Sequence, residues 1–93
     1  MLQGVCTVVI RYSKKSLKFL SKLDDRSVAR IRAAISGLLS APPEGDIKPM
    51  QGYSDGRKRL RVGGWRVVYR YDRDGAVEIL LIIEIGNRGD IYK

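Results

Sequence analysis

Arg57, Arg59, Arg61, Arg66 and Arg70 crowd into one short stretch of the chain, and Arg88 stands near its end. A guanidinium is always charged and carries its donors in a planar fork, so it binds phosphate or carboxylate oxygens two at a time and makes a poor proton acceptor. Residues of this type therefore bind, orient and neutralise anions. With no histidine anywhere and a single cysteine, Cys6, the chain can assemble neither a zinc site nor any scheme that depends on an imidazole. The chemistry to look for is anion binding, with phosphate as the leading ligand.

The stretch from Arg57 to Tyr71 determines how those arginines are presented. Two β-propensive runs flank Gly63-Gly64, a pair suited to the positive φ angles of a two-residue hairpin turn. Such a turn sets Val62 opposite Trp65, Arg61 opposite Arg66, Leu60 opposite Val67, Arg59 opposite Val68, Lys58 opposite Tyr69 and Arg57 opposite Arg70. Side chains alternate across a pleated strand, so Leu60, Val62, Trp65, Val67 and Tyr69 share one face while Arg57, Arg59, Arg61, Arg66 and Arg70 share the other. A three-residue turn would scramble this parity. Like charges directly opposite one another destabilise a sheet, so Arg61 facing Arg66 needs a compensating reason. One reason is an anion-binding surface; the other is a solvated face whose long stems shield the sheet.

The elements around the hairpin follow from periodicity. Val5 to Arg11 reads as a first strand, with Val8, Val9 and Ile10 at its centre. Ser13 offers a cap for a helix whose apolar stripe is Leu17, Phe19, Leu20 and Leu23 and whose other side carries Lys14, Lys15, Lys18 and Lys22. A second helix begins after Asp24-Asp25, turns Val28, Ile31, Ile35, Leu38 and Leu39 to one side, and stops at Pro42-Pro43. From Glu44 to Gly56 the composition is that of a loop, anchored by Ile47 and Met50. After the hairpin, Asp72 to Gly75 signals a turn. Val77 to Ile85 is then almost continuously apolar, Glu78 and Glu84 excepted, as in a central strand covered on both faces. Gly86 ends it and a polar tail follows.

The 93 residues are enough for one domain, 1–93, with a modest core. Hydrophobic residues at 44% with charged residues at 30% indicate a folded chain, and a net charge of +8 indicates a polyanionic partner, either nucleic acid or an acidic protein. Cys6 lies in an apolar run with no partner for a disulfide, so a buried thiol and a reducing, cytoplasmic setting are expected. No stretch has the length and apolarity of a membrane span or of a secretory signal, so no membrane partner is expected.

The order of strand, two helices, loop, hairpin, buried strand and short Arg/Tyr tail resembles the RelE/ParE superfamily of toxins from type II toxin–antitoxin pairs, over nearly the whole chain. Its most specific parts are Arg59-Leu60-Arg61-Val62-Gly63-Gly64-Trp65-Arg66-Val67-Val68-Tyr69 and Gly86-Asn87-Arg88-Gly89-Asp90-Ile91-Tyr92. The implied fold class is α+β: a βααβββ domain with two N-terminal helices on one face of a mostly antiparallel four-stranded sheet. The RelE branch implies a ribosome-dependent endoribonuclease, or mRNA interferase, cutting mRNA in the ribosomal A site and so inhibiting translation. It also implies a cognate antitoxin, the ribosome and mRNA as partners, with neither metal nor small-molecule cofactor. Carried over by position, the catalytic set is Arg57, Arg59, Arg66, Arg88 and Tyr92, with Arg61, Arg70, Lys14, Lys15 and Lys18 as further RNA contacts.

RNA cleavage by its own 2′-hydroxyl needs alignment, charge neutralisation at the phosphorane and two proton transfers, with no protein nucleophile. Arginines suit the first two tasks. Tyr92 can stack on a base or move a proton. The chain departs from the family's pattern where Arg57 replaces a lysine and Asn87 a histidine, which leaves the general base without an assigned residue. Two alternatives stay open: a ParE-like inhibitor of DNA gyrase that catalyses nothing, and an inactivated relative that only binds an antitoxin.

Overall fold

A computed structural model describes residues 7–40 and 42–87. Strand β1 (Thr7–Tyr12) leads into helix α1 (Lys14–Leu20) and helix α2 (Asp25–Ser36), the latter extended by a 3-10 turn at Gly37–Leu39. Four further strands follow: β2 (Asp46–Pro49), β3 (Lys58–Val62), β4 (Trp65–Asp74) and β5 (Val77–Asn87). They form one sheet in the order β1-β5-β4-β3-β2, antiparallel throughout except for the β1–β5 pair.

The class is the α+β class expected, but the sheet has five strands rather than four. The segment read as loop from Glu44 to Gly56 contains β2, which pairs antiparallel with β3, Asp46 against Arg61 and Lys48 against Arg59. The strand hides from pattern reading because it is short and edge-placed, shows little alternation of burial and ends on Pro49. At its start, Gly45 takes φ 131°, and a Cβ there would meet Leu60 Cδ1 at 2.6 Å, so the entry into β2 admits only glycine without repacking.

Both helices start on side-chain caps that were legible locally. Ser13 Oγ accepts from the Ser16 amide at 3.0 Å, and an Asp24 carboxylate oxygen accepts from the Ser27 amide at 3.2 Å. Helix α1 lies over β5 and α2 over β3. Their apolar sides meet the sheet in a core of Leu20, Ile31, Ile35 and Leu38 against Leu60, Val62, Val67, Tyr69, Leu80, Ile82 and Ile85. Leu17 and Leu39 do not join it: they are 49% and 42% exposed. Helix α1 is a short seven-residue segment whose sheet-facing side is taken by Ser16 and Leu20, so Leu17 is turned outward.

The hairpin has the two-residue turn at Gly63-Gly64, with Val62 against Trp65 and Arg61 against Arg66 as its spacing demands. Of the pair, it is Gly63 that supplies the left-handed angle, φ 58°. At the other end of β4 the strand continues through Asp74, so the turn expected over Asp72 to Gly75 tightens to Gly75-Ala76.

Candidate nucleic-acid interface

Because β3 and β4 pair in this register, Leu60, Val62, Val67 and Tyr69 belong to the core under the helices, and Arg59, Arg61, Arg66 and Arg70 share the face of the sheet away from them. The arginines are not a set of loose surface heads. Arg59 and Arg66 are only 5% and 3% exposed, whereas Arg61 and Arg70 are half-buried. Packed in this way, guanidiniums are held in place and partly desolvated, which strengthens each interaction with an anion relative to water.

Carboxylates already answer some of this charge. Asp46 on β2 stands 3.6 Å from Arg59 and 3.6 Å from Arg61, and its backbone carbonyl accepts from Arg59 Nη1 at 3.3 Å. The buried Nε of Arg61 has no hydrogen-bond acceptor among the described residues, an arrangement that native interiors rarely tolerate without a ligand or water. Asp55, in the loop before β3, grips Arg57 through both oxygens, with Arg57 Nη2 donating at 2.7 Å, and comes within 4.0 Å of Arg70. Arg57 hydrogen bonds, with its charge and that of Arg70 behind them, hold the Asp55 carboxyl well below the usual carboxylate range, at about 2. The ring of Tyr53 lies 4.1 Å from the Arg57 guanidinium, a cation–π contact that presents an exposed aromatic beside the basic face.

One further carboxylate joins the face from β5. Glu84 pairs with Val68, which is flanked along β4 by Arg66 and Arg70 and paired across to Arg59. Its carboxylate is 3.7 Å from Lys15 Nζ, so the start of α1 reaches the border of the site. Lys14 and Lys18 are exposed on α1, and no contact joins them to the arginines among the described residues. Arg88 and Tyr92 lie outside the described residues.

The structure thus brings together Arg57, Arg59, Arg61, Arg66 and Arg70, with Lys15 at the rim. Sequence reasoning missed Asp46, Asp55, Tyr53 and Glu84. The available signal for Glu84 was its place as a charge inside an otherwise apolar strand. The hollow of about 390 Å³ lined by Val8, Leu38, Leu39, Pro42, Pro43 and Tyr71 is elsewhere, where the 3-10 turn meets β1 and β4. Among the described residues no group of His, Cys, Asp and Glu could hold a metal ion, and no helix is long and apolar enough to cross a membrane.

Comparison with known proteins bears on the family and the fold. The family profile described as the ParE toxin of the type II toxin–antitoxin system parDE matches residues 10–92. No curated protein sequence matches. A chain of the archaeal RelE–RelB complex from Pyrococcus horikoshii OT3 superposes with a TM-score of 0.67 at 24% identity, over 89% of this chain and 97% of that one. The toxin–antitoxin complex RelBE2 from Mycobacterium tuberculosis gives 0.65 at 26% identity, over 86% and 96%. The YoeB/ParE toxin from Agrobacterium tumefaciens gives 0.70 at 23% identity, over 86% and 98%. Matched over most of its length, the chain belongs to the ParE toxin family of type II toxin–antitoxin systems, within the RelE/ParE superfamily of toxins.

Proposed function

We propose that this toxin is a ribosome-dependent endoribonuclease that cuts mRNA in the ribosomal A site and so stops translation. The observation that supports this reading best is the packed arginine face, Arg59, Arg61, Arg66 and Arg70 on the side of the sheet away from the helices with Arg57 at its edge. Guanidiniums held in place, with an unanswered donor at Arg61, suit a phosphodiester, whose charge rises as the phosphorane forms. The scissile phosphate docks on the arginine side chains around the buried Val68, where forked donors hold its oxygens. By the resemblance of the tail motif Arg88 and Tyr92, outside the described residues, take part as well, Tyr92 stacking on a base or moving a proton. Metal and cofactor have no part in this scheme.

A cognate antitoxin is the second partner, since the similar complexes from Pyrococcus horikoshii and Mycobacterium tuberculosis are toxin–antitoxin pairs. A chain of +8 with a basic sheet face is matched by an acidic, amphipathic segment that folds on binding. Such a toxin works in the cytoplasm, where its ribosomes are.

The match to the ParE profile favours a second reading, inhibition of DNA gyrase without catalysis. Induction in cells followed by mapping of mRNA ends separates the two. Cuts at ribosomal A sites that disappear with Arg66→Ala, by about 100-fold or more for one lost transition-state donor, support the ribonuclease; intact mRNA with DNA damage signalling supports the gyrase inhibitor. A folded Arg66→Ala protein that cuts at the wild-type rate refutes the site.

A further inference from the structure

Three arrangements on the arginine face lead to one residue. Strand β5 sends Leu80 and Ile82 into the core, so strict alternation would send residue 84 there too and turn Ile85 outward. The observed pairing is different. Tyr69 faces Ile82 and Val68 faces Glu84, so Ile83 is an extra residue on β5 opposite no residue of β4. This β-bulge resets the alternation, returning Ile85 to the core at 3% exposure and delivering Glu84 to the arginine face.

The bulge is held by the start of α1. Ser13 donates its backbone N–H to the Ile82 carbonyl at 2.9 Å and its hydroxyl to the Ile83 carbonyl at 2.7 Å. Ser16, fully buried, holds its hydroxyl within reach of two acceptors, Ser13 Oγ at 2.8 Å and the Ile82 carbonyl at 3.3 Å, and its single proton serves one of them at a time. The carbonyls that a bulge takes out of the ladder thereby find partners, and the displaced register is locked.

Glu84 then occupies one end of a row across the sheet. Arg59 on β3, Val68 on β4 and Glu84 on β5 are successive cross-strand partners. At about 4.8 Å per strand, the backbone of Val68 has that of Arg59 about 5 Å to one side and that of Glu84 about 5 Å to the other, and the Val68 side chain is itself buried, at 3% exposure. Arg66 and Arg70 stand about 7 Å away along β4, at two residues each. The Glu84 side chain is 40% exposed, and Lys15 Nζ, 3.7 Å from its carboxylate, draws it toward the rim. Gly86, opposite Arg66, puts no side chain over that part of the face.

We propose that Glu84 is the general base of the RNA cleavage assigned above, a role that rests on the ribonuclease reading. With the scissile phosphate on the arginine side chains around Val68, the Glu84 carboxylate takes the proton of the adjacent ribose 2′-hydroxyl. The 2′-oxygen attacks phosphorus and the bond from phosphorus to the 5′-oxygen breaks. The upstream product carries a 2′,3′-cyclic phosphate. The 5′-oxygen takes a proton from water and leaves as a hydroxyl, and Glu84 gives its proton back to solvent. Arg59 and Arg66 neutralise the phosphorane, and Lys15 positions the carboxylate.

Single-turnover cleavage of mRNA on programmed ribosomes tests this with Glu84→Gln and Glu84→Asp beside the wild type. Glu84→Gln should cut about 100-fold more slowly or worse, the usual contribution of a general base, while binding the ribosome with wild-type or tighter affinity because a negative charge has gone. Glu84→Asp, which keeps a carboxylate one methylene further back, should recover part of the lost rate. If wild type cuts and Glu84→Gln cuts as fast, the assignment of Glu84 fails and the ribonuclease reading stands. A Glu84→Gln protein that loses binding and cutting in proportion also overturns it. If wild type does not cut ribosome-bound mRNA at all, both the reading and the assignment fall.

Discussion

Replacing Asp55 with asparagine should make RNA binding stronger and more sensitive to salt. Asp55 grips Arg57 at 2.7 Å and lies 4.0 Å from Arg70, while Asp46 answers Arg59 and Arg61, each at 3.6 Å. Among the described residues the face sets Arg57, Arg59, Arg61, Arg66 and Arg70 beside Asp46 and Asp55, with Glu84 set against Lys15, a net charge of about +3 that can neutralise about three phosphates in the wild type. Each phosphate neutralised on a single strand contributes about −0.7 to the slope of log affinity against log salt, so three give a slope of about −2. Between about 50 and 200 mM salt the wild-type affinity should fall about 20-fold. Asp55 is held ionised down to a pKa of about 2, so at neutral pH its replacement adds one whole charge to the face. Asp55→Asn then has a net charge of about +4 on the face, a slope of about −3 and a fall of about 50-fold over the same range. Filter binding of a single-stranded RNA oligonucleotide across a salt series reads both slopes. A wild-type affinity independent of salt would refute the phosphate-binding face, and a slope unchanged in Asp55→Asn would refute the claim that this carboxylate competes with phosphate.

The opposite face should answer to different perturbations. Ile31 is fully buried between α2 and the sheet, so Ile31→Ala should lower stability by about 2–5 kcal/mol, read as a shift in the urea midpoint; a loss under about 1 kcal/mol would contradict the packing described. Tyr69 is 1% exposed, and burial, followed by the charge of Tyr71, pushes its phenol up to about 12. Its folded pKa exceeds its unfolded value, so its contribution is complete below about pH 10 and disappears as pH rises through about 12. Urea midpoints measured from pH 9 to 11.5 should therefore fall more steeply for wild type than for Tyr69→Phe, and parallel curves would exclude the phenol as the cause. On the arginine face, Arg66→Ala should leave the circular dichroism spectrum unchanged while removing cleavage.

The hairpin and its two faces could be read from the chain alone because every step is local. A Gly-Gly turn fixes which residue faces which, and alternation along a strand then separates Leu60, Val62, Val67 and Tyr69 from Arg59, Arg61 and Arg66. The caps at Ser13 and Asp24 are local as well, since each side chain reaches an amide three residues on. What the arginines meet is a different kind of question. Asp46 comes to Arg59 and Arg61 only because β2 pairs with β3, and a four-residue edge strand ending in proline carries almost no pattern of its own. Glu84 is the clearest case: strict alternation would place it in the core with Leu80 and Ile82. Its actual face is set by one unpaired residue, Ile83, and by hydrogen bonds from Ser13 and Ser16, about seventy positions earlier in the chain. The sequence by itself determined that one side of this sheet would be cationic; the tertiary structure decided which carboxylates share that side, because a bulge is a property of two strands and the helix that braces them.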